Sequence, residues 1–176
     1  SKKSEIKNFP DIRRLVLMGR AIKSFESETF VNLANLEYLE IKATSLEHLN
    51  DAKLLNGLSK LIELNLSYNK LTVIHVDLFV SLKNITIIDL SSNELTHDNF
   101  KIQLPLNLKF LNLSNNKITK IDQMLFKTWQ VKHLEVLNLS RNSIVKVNDE
   151  SFAFLSELVE LDLSQNQIYE VDKKHF

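Results

Sequence analysis

The sequence predicts a solenoid of the α/β class, in which short turns stack in line behind one another. A parallel β-sheet lines its concave face, and mostly irregular or short 3-10 segments form the convex one. Three observations predict this. One eleven-residue frame recurs along the chain, and an aromatic residue returns at a fixed distance behind it. The chain of 176 residues also holds only 2 Gly and 2 Pro, too few to build conventional turns throughout.

The frame comes first. Leu61 to Leu71 is LIELNLSYNKL and Leu158 to Ile168 is LVELDLSQNQI, both of the form L-x-x-L-x-L-x-x-N-x-L. It opens at Ile12, Leu36, Leu61, Ile85, Leu108, Leu134 and Leu158, at intervals of 23–26 residues. About seven repeats are therefore expected over residues 12–176, the last one cut short, behind a lead-in of residues 1–11. Eighteen positions after the start stand Phe30, Phe79, Phe126, Phe152 and Phe176, with Leu54 in the second repeat. Another apolar residue follows at Leu33, Leu58, Leu82, Trp129 and Leu155. The fourth repeat departs from this pattern. Its Phe100 comes three positions early and Leu104-Pro105-Leu106 closes a shortened back side, so local distortion is expected there.

Spacing dictates the physics. In L-x-L the two leucines point to one side of a strand and the intervening residue to the other. Stacked turns place these strands side by side, ~4.8 Å apart, so seven make a face roughly 29 Å long. One repeat cannot bury its leucines alone, whereas stacked repeats share a core. Each buried Leu or Phe is worth roughly 1.5–3 kcal/mol. Asn69, Asn93, Asn116, Asn142 and Asn166 follow the strands and are expected to bend the chain where glycine is lacking. Their amides both donate and accept, which suits a column bonding the backbone of adjacent turns. Arg20 and Thr44 stand in that column in the first two repeats, so that end is expected to be less regular.

On these residues the chain resembles the "typical" subclass of leucine-rich repeats, over roughly Ile12 to Phe176. The resemblance implies a leucine-rich-repeat solenoid with a concave parallel sheet. It also implies an extracellular setting, since the subclass occurs mostly in ectodomains of Toll-like receptors, insect immune and adhesion proteins and small proteoglycans. Cysteine-bounded caps usually close such ectodomains, and this chain has no Cys. An excerpt of a longer solenoid is the resulting expectation.

Composition removes other classes. The absence of cysteine excludes disulfides, thiolate metal sites and a cysteine nucleophile within these residues. Lys plus Arg and Asp plus Glu number 22 each, so no global field draws the chain to nucleic acid or an anionic membrane. Lys2-Lys3 and Lys173-Lys174 are terminal pairs rather than a basic stripe. Apolar runs fall far short of the ~20 residues of a membrane span. Neither membrane contact nor nucleic-acid binding is expected of this segment.

Catalysis has no constellation to rest on. His48, His75, His97, His133 and His175 lie in different repeats without metal-ligand spacing. Ser67, Ser91, Ser114, Ser140 and Ser164 recur because the turn recurs. No Gly-rich phosphate loop occurs. The expectation is no enzyme, no metal and no cofactor.

Two sets of residues remain as candidate sites. Asn65, Asn84, Asn112 and Asn138 each open an N-x-[ST] glycosylation acceptor. For three of them the plain alternative is that L-N-L-S is one spelling of the repeat, while Asn84 lies in a loop. On the concave face, the residues just before the second leucine are Arg14, Tyr38, Glu63, Ile87, Phe110, Val136 and Glu160. Ile87, Phe110 and Val136 fall on three consecutive strands and would make an apolar patch, either a docking surface or ordinary cross-strand packing. Glu40, Asp89 and Asp162 give the next column an acidic bias. Tyr68 and Arg141 sit at the bend edge and are hot-spot residue types, as is Tyr38.

The function expected is an extracellular protein-recognition module. It would bind a protein ligand or co-receptor in innate immunity or cell adhesion, as a monomer or within a homo- or heterodimer. A structural repeat protein of the extracellular matrix and an intracellular assembly scaffold are the competing readings. The 24-residue period counts against the scaffold by resemblance.

Overall fold

Alternation of buried leucine with outward residues produces one short strand per turn. The computed structural model describes residues 9–19, 22–99, 101–121, 129, 131–147 and 151–170. Its strands are β1 (Arg14–Met18), β2 (Tyr38–Lys42), β3 (His48–Leu49), β4 (Glu63–Asn65), β5 (Val73–Ile74) and β6 (Ile87–Asp89). They continue with β7 (Phe110–Asn112), β8 (Lys120–Ile121), β9 (Val136–Asn138), β10 (Lys146–Val147) and β11 (Glu160–Asp162). Seven of them form one sheet in the order β1-β2-β4-β6-β7-β9-β11. Every pairing in that sheet is parallel. This order is sequence order with the short strands left out, as a chain winding in one direction requires.

In each strand of the seven-stranded sheet the second residue points into the core. Leu39, Leu64, Ile88, Leu111 and Leu137 are fully buried, and the partner residues Leu36, Leu61, Ile85, Leu108 and Leu134 close the same layer. In the first and last described turns Leu15 and Leu161 are only half-buried. Behind the sheet, Phe30 and Phe79 are fully enclosed, as is Trp129, and Phe25 packs on Phe30 at a ring separation of 5.2 Å. Leu54 and Leu55 fill that layer in the second turn, while Phe152 is half-buried.

The convex side is irregular. Its turns are closed by single i→i+3 backbone bonds, such as Leu33 N to Phe30 O and Leu82 N to Phe79 O. Strand pairs also form where the sequence pattern gave no sign of them. β3 pairs with β5 and β8 with β10, on the segments that leave the asparagine bends. Among the described residues the fourth turn has no such pair, only a single bridge from Thr96 to Lys117. Leu104 and Pro105 are buried there and Leu106 is exposed. Phe100, Phe126, Phe176, Arg20, His175 and the terminal lysine pairs lie outside the described residues.

Two expectations about the bends need correction. The asparagines hold the turn, but the residue that takes the left-handed conformation stands one position earlier. Ala43, Tyr68, Ser92, Asn115, Arg141 and Gln165 have φ between 52 and 56°, and Gly19 takes the equivalent place at 126°. A backbone N–H there must turn outward to reach the next turn, as Tyr68 N does to Ser91 O and Arg141 N to Ser164 O. The second correction concerns Thr44. It does not make its end irregular, because β1 and β2 pair over five residues and Thr44 joins the column. Its N–H donates to Asn69 Oδ1 at 3.0 Å and its hydroxyl donates to the same oxygen.

Candidate functional site

The bends fix how the concave face is displayed. Each column asparagine reaches back one turn with both ends of its amide. Asn93 Nδ2 donates to Leu66 O and, in its own turn, to Leu90 O, while its Oδ1 accepts from Leu71 N. Asn69, Asn116, Asn142 and Asn166 repeat the pattern, with Nδ2 donating to Ile41, Leu90, Leu113 and Leu139. Their Oδ1 atoms accept from the backbone of Thr44, Leu95, Ile118 and Ile144. Adjacent turns are thereby held in register.

Register in turn sets the surface. Cα pairing runs Arg14–Tyr38–Glu63–Ile87–Phe110–Val136–Glu160 across the seven strands. Ile87, Phe110 and Val136 are therefore neighbours in one row, each partly exposed on a face whose flanks are polar. A second row runs Val16–Glu40–Asn65–Asp89–Asn112–Asn138–Asp162.

Tyr38 does not join the apolar trio, because Glu63 stands between them. Instead, the Arg14 guanidinium lies 4.2 Å above the Tyr38 ring, and the phenol donates to Glu40 at 2.6 Å. Burial, the hydrogen bond to Glu40 and the nearby carboxylates of Glu40 and Glu63 push the phenol up to about 12. Tyr68 and Arg141 stand on the rim at left-handed positions, separated by Ser92 and Asn115 along a polar trough. The Lys42 ammonium lies 5.1 Å over the Tyr68 ring. The sequence-predicted binding residues thus fall into three places, of which only the trio is contiguous.

The second row also places the N-x-S asparagines. Asn65, Asn112 and Asn138 are half-buried, and the Oδ1 of each accepts from the backbone N–H of the serine two residues on, at 2.9–3.0 Å. Asp89 and Asp162 do the same with a carboxylate oxygen toward Ser91 and Ser164. Asn and Asp are interchangeable there because only an acceptor two residues back is needed. Bonds from Ser164 hold the Asp162 carboxyl below the usual range. Asn84 is exposed, and its Nδ2 donates to Ser59 O at 2.7 Å.

Asn84 belongs to a column that the sequence reading missed. Asn35 donates to Pro10 O and Asn107 to Lys83 O, each just before a frame start. The signal was recurrence of Asn at the repeat period, one position ahead of Leu36, Ile85 and Leu108. Inter-turn ion pairs reinforce the flanks at Arg13–Glu37, Lys109–Glu135 and Lys117–Glu94, with His133 beside Glu157 at 3.0 Å.

Among the described residues no group of three acidic or histidine side chains is placed to hold a metal ion. Nor is any helix there long and apolar enough to cross a membrane.

Known proteins share this architecture. A leucine-rich-repeat protein of Leptospira interrogans superposes with a TM-score of 0.76 at 27% identity, covering 97% of this chain and 41% of that one. An internalin of Listeria monocytogenes gives a TM-score of 0.69 at 22% identity, over 94% of this chain and 45% of that one, and shows the fold alone. Human lumican is 27% identical over 90% of this chain and 60% of its own length. Quail (Coturnix japonica) lumican is 31% identical over 62% of this chain and 39% of its own length. The chain therefore spans between about two-fifths and three-fifths of these two relatives. The family pattern described as "Leucine rich repeat" matches residues 46–95 and 107–168. With most of its length matched and seven of its strands stacked in one parallel sheet, the chain belongs to the leucine-rich-repeat family.

Proposed function

We propose that the chain is an extracellular protein-recognition module that docks a protein ligand or co-receptor on its concave sheet, in immune or adhesive recognition. The reading involves binding alone, with no bond-making step and no cofactor. The observation that carries it is the in-register row of Ile87, Phe110 and Val136. Three partly exposed apolar side chains on adjacent strands form a continuous patch rather than scattered singles. The sheet beneath them is held by the asparagine column, so a partner meets a preorganised surface and little ordering is lost on docking. The extracellular part rests on the N-x-[ST] acceptors at Asn65, Asn84, Asn112 and Asn138 and on the subclass resemblance.

A panel of secreted ectodomains screened with the multimerised chain tests the reading. A partner is expected whose binding falls at least tenfold with Phe110→Asp while circular dichroism stays unchanged. Partners bound equally well by that variant would remove the concave patch from the proposal. Expression through a secretory pathway, with glycan mapping at the four acceptors, tests the setting. Failure of secretion would count against it.

A further inference from the structure

The charges of the whole chain cancel, 22 against 22, yet the concave face does not share the balance. Its two outward rows carry the carboxylates Glu40, Glu63, Asp89, Glu160 and Asp162, and a single cation, Arg14. That cation is stacked on Tyr38, and Lys42, one row further on, faces Tyr68. Among the described residues, the three inter-turn ion pairs and the His133–Glu157 contact all lie on the flanks and use none of these five carboxylates. The acidity of the face is thus a local arrangement and not a consequence of composition.

The carboxylates also bracket the apolar patch. Glu63 precedes Ile87 in the row and Glu160 follows Val136, while Asp89 lies two residues along the strand from Ile87. Glu63 is crowded. Burial, together with the carboxylates of Glu40 and Asp89, raises its pKa above the usual value, against the pull of Arg14. Glu40 and Asp89 stand diagonally from Glu63 on the two neighbouring strands, so a cation arriving from outside relieves the repulsion among the three.

Building on the docking reading above, we infer that the occupant is a basic segment of another protein. It sets an aliphatic or aromatic side chain on Phe110 with Lys or Arg on both sides. Geometry fixes the spacing. From β4 to β11 are four strand steps, or roughly 19 Å at ~4.8 Å each. An extended chain covers ~3.3 Å per residue, so the two basic residues stand about six positions apart. Charge complementarity of this type speeds encounter and rejects acidic competitors.

The test is selection from a phage library of random twelve-residue peptides on the full chain. Retained peptides are then measured by fluorescence anisotropy against the wild type, Phe110→Asp and the isosteric double variant Glu63→Gln/Glu160→Gln. Enriched peptides are expected to carry an apolar centre with basic residues five to seven positions apart. Their affinity should fall about tenfold in the double variant and weaken as salt rises. Neutral or acidic peptides that nevertheless depend on Phe110 would overturn the basic preference while leaving the docking face in place. Peptides indifferent to Phe110→Asp, or a library that enriches nothing, would overturn both.

Discussion

The side-chain amide of Asn93 lies 3.0 Å from the carbonyl oxygen of Leu66, in the turn before its own. The same side chain accepts from Leu71 N at 2.9 Å, so one residue satisfies buried donors and acceptors on both sides of a bend. Replacement by alanine leaves those buried backbone groups without their partner.

Asn93→Ala is therefore expected to lower stability by ~1–3 kcal/mol for the orphaned N–H alone, with further loss from the carbonyls. Asn142→Ala should behave alike, since it makes the same bonds. Asn107 also bridges two turns, through Lys83 O, but it is exposed and water can replace its amide. Asn107→Ala should cost less than about 1 kcal/mol. Urea denaturation of the three variants checks this, and equal losses would mean that the column does not act through buried bonds.

The residue before each column position gives an expectation of opposite sign. Ala43 holds φ at 52°, where its Cβ crowds the backbone at roughly 1–2 kcal/mol. Its side chain is exposed, so little packing is lost with it. Ala43→Gly should raise stability by ~0.5–1 kcal/mol after the extra unfolded-state freedom of glycine is offset. Thermal denaturation reads the change. A fall in Tm would show that the left-handed turn relaxes at no cost when its residue carries a Cβ.

Gly57 is the counter-case on the convex side. Its φ is 88°, and a Cβ added there would sit 2.3 Å from the carbonyl oxygen of Val31, one turn back. Backbone cannot swing aside as a side chain can, so the two turns would have to separate. Gly57→Ala should destabilise by at least ~1–3 kcal/mol and broaden amide exchange in the turns around Val31 and Gly57. A variant as stable as the wild type would mean that the turns slide apart freely at that point.

These cases also show what the sequence could reveal. Alternation about Leu64, Ile88 and Leu111 dictates the strands and the core, because the stack has only one way to bury those residues. From that register the neighbour relation of Ile87, Phe110 and Val136 followed directly. The left-handed column was hidden, since Ala43, Tyr68, Ser92, Asn115, Arg141 and Gln165 share no side-chain chemistry and only backbone direction unites them. Double duty was hidden too. The asparagine of each N-L-S spells a glycan acceptor and at the same time caps its own turn, and the second use needs geometry to be seen. Likewise, nothing in the linear order shows Arg14 lying on Tyr38, 24 positions away, because that contact exists only once the turns stack.

Glu63 carries the last prediction, and its sign follows from its surroundings. Burial and the carboxylates of Glu40 and Asp89 raise its folded-state pKa above the unfolded value. The folded protein thus holds the proton more tightly. Below the unfolded pKa the group is neutral in both states and the repulsion is absent. As pH rises through the folded pKa the carboxylate forms among its like and stability is lost. Glu63→Gln should therefore be more stable than the wild type at pH 7, by less than about 1 kcal/mol, because Glu40 and Asp89 stand diagonally and not directly opposite it. That advantage should fade as pH falls to the acid side of the ordinary carboxylate range. Paired urea titrations at pH 7 and at acid pH measure the difference between the two proteins, so that changes at other carboxylates cancel. A variant less stable at neutral pH would show that Arg14 more than compensates the acidic neighbours. The free concave face would then hold no repulsion for a basic partner to relieve.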